Sequence, residues 1–282
     1  MKELNGRVAV VTGAASGIGR ALAARFAAEG MSVVLADVEQ DRLDEAVREV
    51  GQTGAPVTGV RTDVSRLADV EALAGRAIER FGAVHVVANI AGVESGAPLA
   101  DIPLELWSWV MGVNFWGTLY GCRVFLPLLR QQPEGHIINA SSVAALFGNA
   151  STTAPYVASK AAILGLSETL RHELAEAGEP IGVSVLVPGP VDTRLPDAER
   201  NLPEGVPAMS GHPARKALLD MLRGLGASGL PPDAVAAMVV AAISEDRFYI
   251  LTHPEHAAGF LRSKLELMGI ADSAAAPAGG LA

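Results

Sequence analysis

Tyr156 and Lys160 stand four residues apart in Tyr156-Val157-Ala158-Ser159-Lys160. On a helix this spacing places both side chains on one face, one turn from each other. An ammonium beside a phenol favours the phenolate and draws a tyrosine pKa from roughly 10 toward working pH. Tyr156 then has the chemistry of a general acid/base for an alcohol–ketone pair. An ordinary amphipathic helix can also carry Tyr-x-x-x-Lys, so the pair alone says little. Here it follows a run ending Asn139-Ala140-Ser141-Ser142, and the Ser142 hydroxyl is suited to hydrogen-bond the same substrate oxygen.

A second constellation is Thr12-Gly13-Ala14-Ala15-Ser16-Gly17-Ile18-Gly19, of the form T-G-x-x-x-G-x-G. Glycines between a strand and a helix allow a tight turn and a close backbone approach, so that helix amides can face a pyrophosphate. A plain β-to-α turn would also use glycines, but the position at the first such junction favours nucleotide binding. Asp37 follows 18 residues after Gly19, at the end of the next strand-like run. A carboxylate there accepts hydrogen bonds from an adenosine ribose and repels a 2′-phosphate. Neither Ser16 nor Val38 is basic, which favours NAD over NADP, with Arg42 the one nearby cation. Asp63, through its side chain, and Val64, through its backbone, are candidates for the adenine edge, although a helix cap explains Asp63 equally well.

These residues must be held by a regular scaffold. Strand patterns fall at Arg7–Thr12, Met31–Ala36, Pro56–Arg61, Val84–Ala88, His136–Ala140, Ile181–Val187 and Arg247–Leu251. Most are continuous runs of Val, Ile and Ala, as expected of strands buried on both faces of a parallel sheet. Helical patterns lie between them at Gly17–Glu29, Glu39–Val50, Leu67–Phe81, Leu104–Arg130 and Tyr156–Ala177, with further helices over Asp233–Ile243 and Glu255–Met268. This alternation predicts one α/β domain over residues 1–270: a Rossmann-like, doubly wound, seven-stranded parallel sheet with helices on both faces. Between the sixth strand and the last helices runs a proline-rich excursion, 194–230, with one helix predicted near Ala214–Leu225. Segments this long commonly act as lids or binding loops. Residues 271–282, rich in Ala, Gly and Pro, read as a disordered tail.

Composition narrows the partners. With 22 Lys and Arg against 31 Asp and Glu, the 282-residue chain carries a formal charge of −9. No basic cluster suits nucleic acid or an anionic membrane. No run approaches the roughly 20 apolar residues of a membrane span, and no signal-peptide core is present. The single cysteine, Cys122, allows no internal disulfide, and a cytoplasmic location is expected. Cys122 is read as a small buried residue. His253-Pro254-Glu255-His256 has metal-like spacing, but no acidic or cysteine cluster completes a site, and a helix start explains it better. No metal is expected.

Taken together, the motifs and their order resemble the short-chain dehydrogenase/reductase family over roughly residues 5–195. The resemblance implies that Tyr156 is the catalytic acid/base, that Lys160 binds the nicotinamide ribose and tunes Tyr156, and that Ser142 polarises the substrate oxygen. Asn114, in Val113-Asn114-Phe115, matches the helix asparagine that holds a water in the relay to Lys160. Pro188-Gly189-Pro190-Val191-Asp192-Thr193 resembles the loop after the sixth strand, where Val191, by its backbone, and Thr193, by its hydroxyl, would meet the carboxamide. The family's Asn-Asn-Ala-Gly becomes Asn89-Ile90-Ala91-Gly92 here, which removes one side-chain hydrogen bond and leaves Asn89 and the Ala91 and Gly92 backbone. Ser142 and Tyr156 are 14 apart, one more than the commonest spacing.

The expected activity is NAD-dependent interconversion of a hydrophobic, bulky or aromatic, secondary alcohol and its ketone. Val93, Glu94, Val143, Phe147 and Gly189, with Ser142, Tyr156 and the excursion, are expected to form the substrate pocket. Alternatives are an NADP-dependent carbonyl reductase, an epimerase or dehydratase on the same framework, and a non-catalytic NAD-binding sensor or scaffold. The resemblance also implies a homo-oligomer, a dimer or tetramer, built through the helices at 104–130 and 156–177.

Overall fold

The computed structural model describes residues 1–148 and 151–270 of the chain. The expectation of a disordered tail at 271–282 lies outside the described residues. Seven parallel strands form one sheet in the order β3-β2-β1-β4-β5-β6-β7. They are β1 (Val8–Thr12), β2 (Ser32–Asp37), β3 (Val57–Arg61), β4 (Val86–Asn89), β5 (Gly135–Ala140), β6 (Ile181–Val187) and β7 (Tyr249–Leu251). Every residue of β1, β4 and β5 is buried, as unbroken apolar runs require between two helical layers. Fully exposed residues occur only at the two edges, in β3 and at Tyr249 of β7.

Because side chains alternate along a strand, each strand feeds two cores. On one face Ala9, Val11, Val33 and Leu35 pack with Leu22 and Phe26 of α1 (Gly17–Ala28), Leu43 of α2 (Gln40–Gly51) and Val239 and Ile243 of α8 (Pro232–Glu245). On the other, Val10, Val34, Val87 and Ile137 pack with Leu73 of α3 (Leu67–Phe81), Phe125 and Leu129 of α5 (Gly117–Leu129) and Leu170 of α6 (Ala154–Glu176).

The helix expected over Leu104–Arg130 is continuous but not uniform. It starts as α4 (Leu104–Met111), widens into a π-helical segment at Gly112–Trp116, and resumes as α5. The buried Asn114 sits in the π segment, where single wide turns commonly mark functional positions. The excursion holds a 3-10 stretch at Leu195–Asn201 and then α7 (Pro213–Ala227), close to the predicted helix. The last helix, α9 (Pro254–Leu267), begins with His253 at its cap position. Strand order reverses between β1 and β4, and the crevice beyond the carboxyl ends of these strands is where open α/β sheets bind ligands. Among the described residues no helix is long and apolar enough to cross a membrane.

Candidate active site

β1 ends at Thr12, and the chain turns into α1 through backbone that only glycine tolerates. Gly13 has φ +67°, and a Cβ there would lie 2.8 Å from Ala91 Cα; a Cβ on Gly19 would lie 2.1 Å from Gly13 O. The turn therefore closes directly onto the loop after β4. Thr12 ties the two together, its Oγ1 accepting the amides of Ile90 at 3.1 Å and Ala91 at 3.2 Å. Above this junction lies a cavity of about 220 Å³. Gly13, Ser16, Gly17, Ile18 and Gly19 line one wall, and the first-turn amides of α1, which have no partner within the helix, belong to that wall. Ala91, Gly92 and Val93 line the cavity next to Gly13, with Tyr156, Lys160, Pro188 and Thr193 at one end.

Asp37, Asp63 and Val64 stand at the other end of the same cavity. Asp37 Oδ2 accepts the Ala15 amide at 2.9 Å and Oδ1 the Glu39 amide at 3.1 Å. Burial outweighs these amides and raises the Asp37 carboxyl above its ordinary value. Asp63 does not cap α3; its Oδ1 accepts the Ser65 amide at 3.0 Å and closes a local turn. Arg42 pairs with Glu45 on its own helix. The cations at this end are instead Arg194 and Arg200 from the excursion, both held by Glu39.

At the reacting end, Tyr156 and Lys160 share the first turns of α6 as their spacing predicts. The Ser142 hydroxyl hydrogen-bonds with the Tyr156 phenol and accepts the Ala144 amide at 3.2 Å. Lys160 Nζ donates to Ala140 O at 2.8 Å and lies 5.7 Å from the Tyr156 ring centroid. The expected lowering of the Tyr156 pKa is not what this arrangement produces. Burial pushes the phenol up to about 12, with the Ser142 hydrogen bond acting against it and the Glu94 charge reinforcing it. Burial likewise pushes Lys160 down to about 8, which weakens the ammonium as a source of positive charge. Desolvation of both groups outweighs their proximity.

Asn114 spends its side chain on structure. Its Oδ1 accepts the Val93 amide at 2.8 Å, and its Nδ2 donates to Val93 O and to Ser159 Oγ. It thus straps the loop after β4 to α6 beside Tyr156. Asn89 is buried, its Nδ2 donating to Asn139 Oδ1 at 2.9 Å, and it lines neither cavity. Cys122 lies beside it, buried, with burial pushing its thiol up to about 11.

A second, apolar cavity of about 730 Å³ adjoins the first. Glu94, Ser142, Val143, Tyr156, Gly189 and Val191 line it as one wall. α7 supplies Leu218, Met221, Leu222 and Leu225, and α9 supplies Glu255, His256, Gly259, Phe260 and Ser263. Two expected pocket residues fall elsewhere. Val93 lines the glycine-lined cavity, its backbone held by Asn114, and Phe147 lines neither. The α9 wall, the Glu39 pairs and Arg215, which reaches Glu94 from α7, carried no signal in the sequence. His253 and His256 stack with ring centroids 5.2 Å apart, and among the described residues no group of three or more His, Cys, Asp or Glu could hold a metal ion.

A glycine turn at a helix start, a carboxylate at the far end and a Tyr–Lys–Ser cluster at the near end fit an adenine dinucleotide. Comparison with known proteins points the same way. The family model for short chain dehydrogenase matches residues 7–202. The chain is 39% identical over 257 residues to the 1-deoxy-11-beta-hydroxypentalenate dehydrogenase of Streptomyces exfoliatus, covering 90% of this chain and 85% of that protein. It is 30% identical to a CLA biosynthesis dehydrogenase/reductase of Lactiplantibacillus plantarum, covering 91% of each. A crystal structure of a short chain dehydrogenase/reductase from Burkholderia phymatum in complex with NAD superposes with a TM-score of 0.91 at 42% identity, over 100% of both chains.

Proposed function

The chain belongs to the short-chain dehydrogenase/reductase family and is an oxidoreductase, and from that premise we propose that it interconverts a bulky hydrophobic secondary alcohol and its ketone with NAD. The observation that carries this reading is that Tyr156 belongs to both cavities, the glycine-lined one and the apolar one. A group placed there can exchange a proton with a substrate oxygen while the carbon bearing that oxygen faces the neighbouring cavity.

The α1 amides and the Gly13–Gly19 turn would hold the pyrophosphate, and Asp37 the adenosine ribose. Asp63 and Val64 would meet the adenine, Lys160 the nicotinamide ribose, and Val191 and Thr193 the carboxamide. The nicotinamide, when bound, supplies the hydride acceptor for oxidation and the donor for reduction. Within the chain, Ser142 fixes the substrate oxygen, and Tyr156 Oη takes its proton in oxidation and returns it in reduction. Lys160 returns charge balance to the phenol, and Asn114, its side chain engaged by Val93 and Ser159, would hold a linking water only through its backbone. The second cavity falls in the range of about 300–1,000 Å³ that encloses substrates of drug-like size, and its aliphatic α7 wall favours a bulky apolar body over a sugar.

The Asp37 carboxylate supports NAD. A second reading, use of NADP, draws on Arg194 and Arg200, which line the Asp37 end of the cavity. Rates with NAD and NADP, followed by absorbance of the reduced cofactor against a panel of small and bulky secondary alcohols, separate the two. Bulky apolar alcohols with NAD are the expected winners. Tyr156→Phe is expected to lose on the order of 10²–10⁴ in turnover; unaltered turnover would sink the mechanism.

A further inference from the structure

The apolar cavity is bounded by one buried ion pair. Glu94, in the loop after β4, is 3% exposed, and Arg215, in the first turn of α7, is 1% exposed. The contact is bidentate: Nη1 donates to Oε1 at 2.6 Å and Nη2 to Oε2. Arg215 is the largest of the fully buried side chains, and its Nε has no hydrogen-bond partner among the described residues. A buried pair of this kind contributes little net stability against apolar replacements of equal size, so its presence calls for another account.

Location supplies one. Glu94 lines the apolar cavity together with Tyr156, whereas Arg215 stands behind it and does not. Three of the α7 residues facing that cavity, Leu218, Leu222 and Leu225, follow Arg215 on the same helix. We propose that Arg215 is a positioning residue for the reaction: it seats α7 over the substrate cavity and cancels the carboxylate charge that Glu94 presents to Tyr156. The reactive role of Tyr156 is taken from the function proposed above.

The titratable groups around the phenol are few. Lys160 lies on the same helix, Glu94 comes from the loop after β4, and Glu255 and His256 of α9 line the cavity shared with Tyr156. Glu94 acts on the phenol directly and disfavours the phenolate. With Glu94 neutralised by mutation, the Arg215 guanidinium loses its counter-charge. Its charge, set behind the Glu94 position, then acts toward the phenol with no carboxylate to offset it.

The test is direct titration of Tyr156 by NMR of ring-labelled tyrosine, assigned by its loss in Tyr156→Phe among the three tyrosines of the chain. With a pKa of about 12, roughly a tenth of Tyr156 is phenolate at pH 11. In Glu94→Gln the midpoint should fall by about one unit, raising that fraction to about a half. The double variant Glu94→Gln/Arg215→Met, which has no charge at either position, should lie between the two. A Glu94→Gln fraction equal to wild type overturns the proposal, as does a double variant equal to Glu94→Gln. If Glu94→Gln fails to fold, the comparison passes to Arg215→Met, which should show less phenolate than the double variant; equal fractions overturn the proposal. Hydrogen exchange reads the seating of α7. Amides of 213–227 should exchange at least about tenfold faster in Arg215→Met and in the double variant, with α1 unchanged. Unchanged α7 protection overturns the seating role. None of these readouts uses turnover, so a failure to oxidise alcohols is distinguishable from a failure of this proposal.

Discussion

Glu39 accepts a hydrogen bond from Arg200 Nε at 2.9 Å, a contact between residues 161 apart in the chain. Asn201 and Arg194 converge on the same carboxylate. Burial alone would raise the Glu39 carboxyl, but the hydrogen bonds from Arg200 and Asn201 hold it below its ordinary value. The start of the excursion is thereby fastened across the Asp37 end of the glycine-lined cavity.

Glu39→Gln would release two guanidiniums beside the site expected for the adenosine ribose. A charge-assisted hydrogen bond is worth about 1.5–3 kcal/mol, so kcat/KM with NADP should rise by roughly tenfold or more relative to NAD. Steady-state kinetics with both cofactors is the check, and an unchanged ratio would show that these cations do not reach a 2′-phosphate.

Asp37→Ala removes both the ribose acceptor and the charge that repels a 2′-phosphate. Discrimination in favour of NAD should drop by about 10- to 100-fold, mostly through a higher KM for NAD. Because Asp37 also holds the Ala15 and Glu39 amides, Asp37→Asn, which keeps an acceptor, should lose less.

Ser142→Ala removes the one hydrogen bond that counters the burial of Tyr156. The acidic limb of the pH profile for alcohol oxidation should therefore move to higher pH, and the rate should fall by on the order of 10²-fold. A lower rate on an unmoved limb would confine Ser142 to holding the substrate.

Lys160 governs a stability trend with a defined sign. Its folded pKa is about 8 against an ordinary 10.5. Across that window the unfolded chain binds a proton that the folded chain lacks, so this group's contribution to stability rises with pH and its penalty is full below about pH 8. Lys160→Met carries no such term. Between pH 7 and pH 10, wild type should gain on the order of 3 kcal/mol relative to the variant, as measured by denaturant unfolding. A pH-independent gap would mean that Lys160 is not desolvated.

Local motifs were legible in the sequence because short-range geometry dictates them. The Tyr156–Lys160 turn, the Gly13–Gly19 turn and the position of Asp37 follow from helix pitch and strand-to-helix connection, and the structure places all of them around one cavity. The parallel sheet was readable for a similar reason, since strands buried on both faces leave continuous apolar runs. Contacts between distant segments left no such trace. Glu94 was expected at the substrate pocket, but nothing in the sequence paired it with Arg215, 121 residues away. Nor does spacing reveal burial: Tyr156 and Lys160 are neighbours as expected, yet desolvation sets the direction of both pKa shifts. The loss of an asparagine at Ile90 was visible, while its context was not, because Thr12 Oγ1 anchors the Ile90 and Ala91 backbone.

The burial of Cys122 has a practical consequence. A thiol sealed in the core and pushed up to about 11 presents almost no thiolate at neutral pH, and it is the only cysteine in the chain. The folded protein should therefore be silent toward maleimides and iodoacetamides. A reporter cysteine placed at the exposed Met221 of α7 would take a fluorophore alone. The movement of that helix over the apolar cavity could then be followed optically, in the native chain background, as alcohols and cofactor are added.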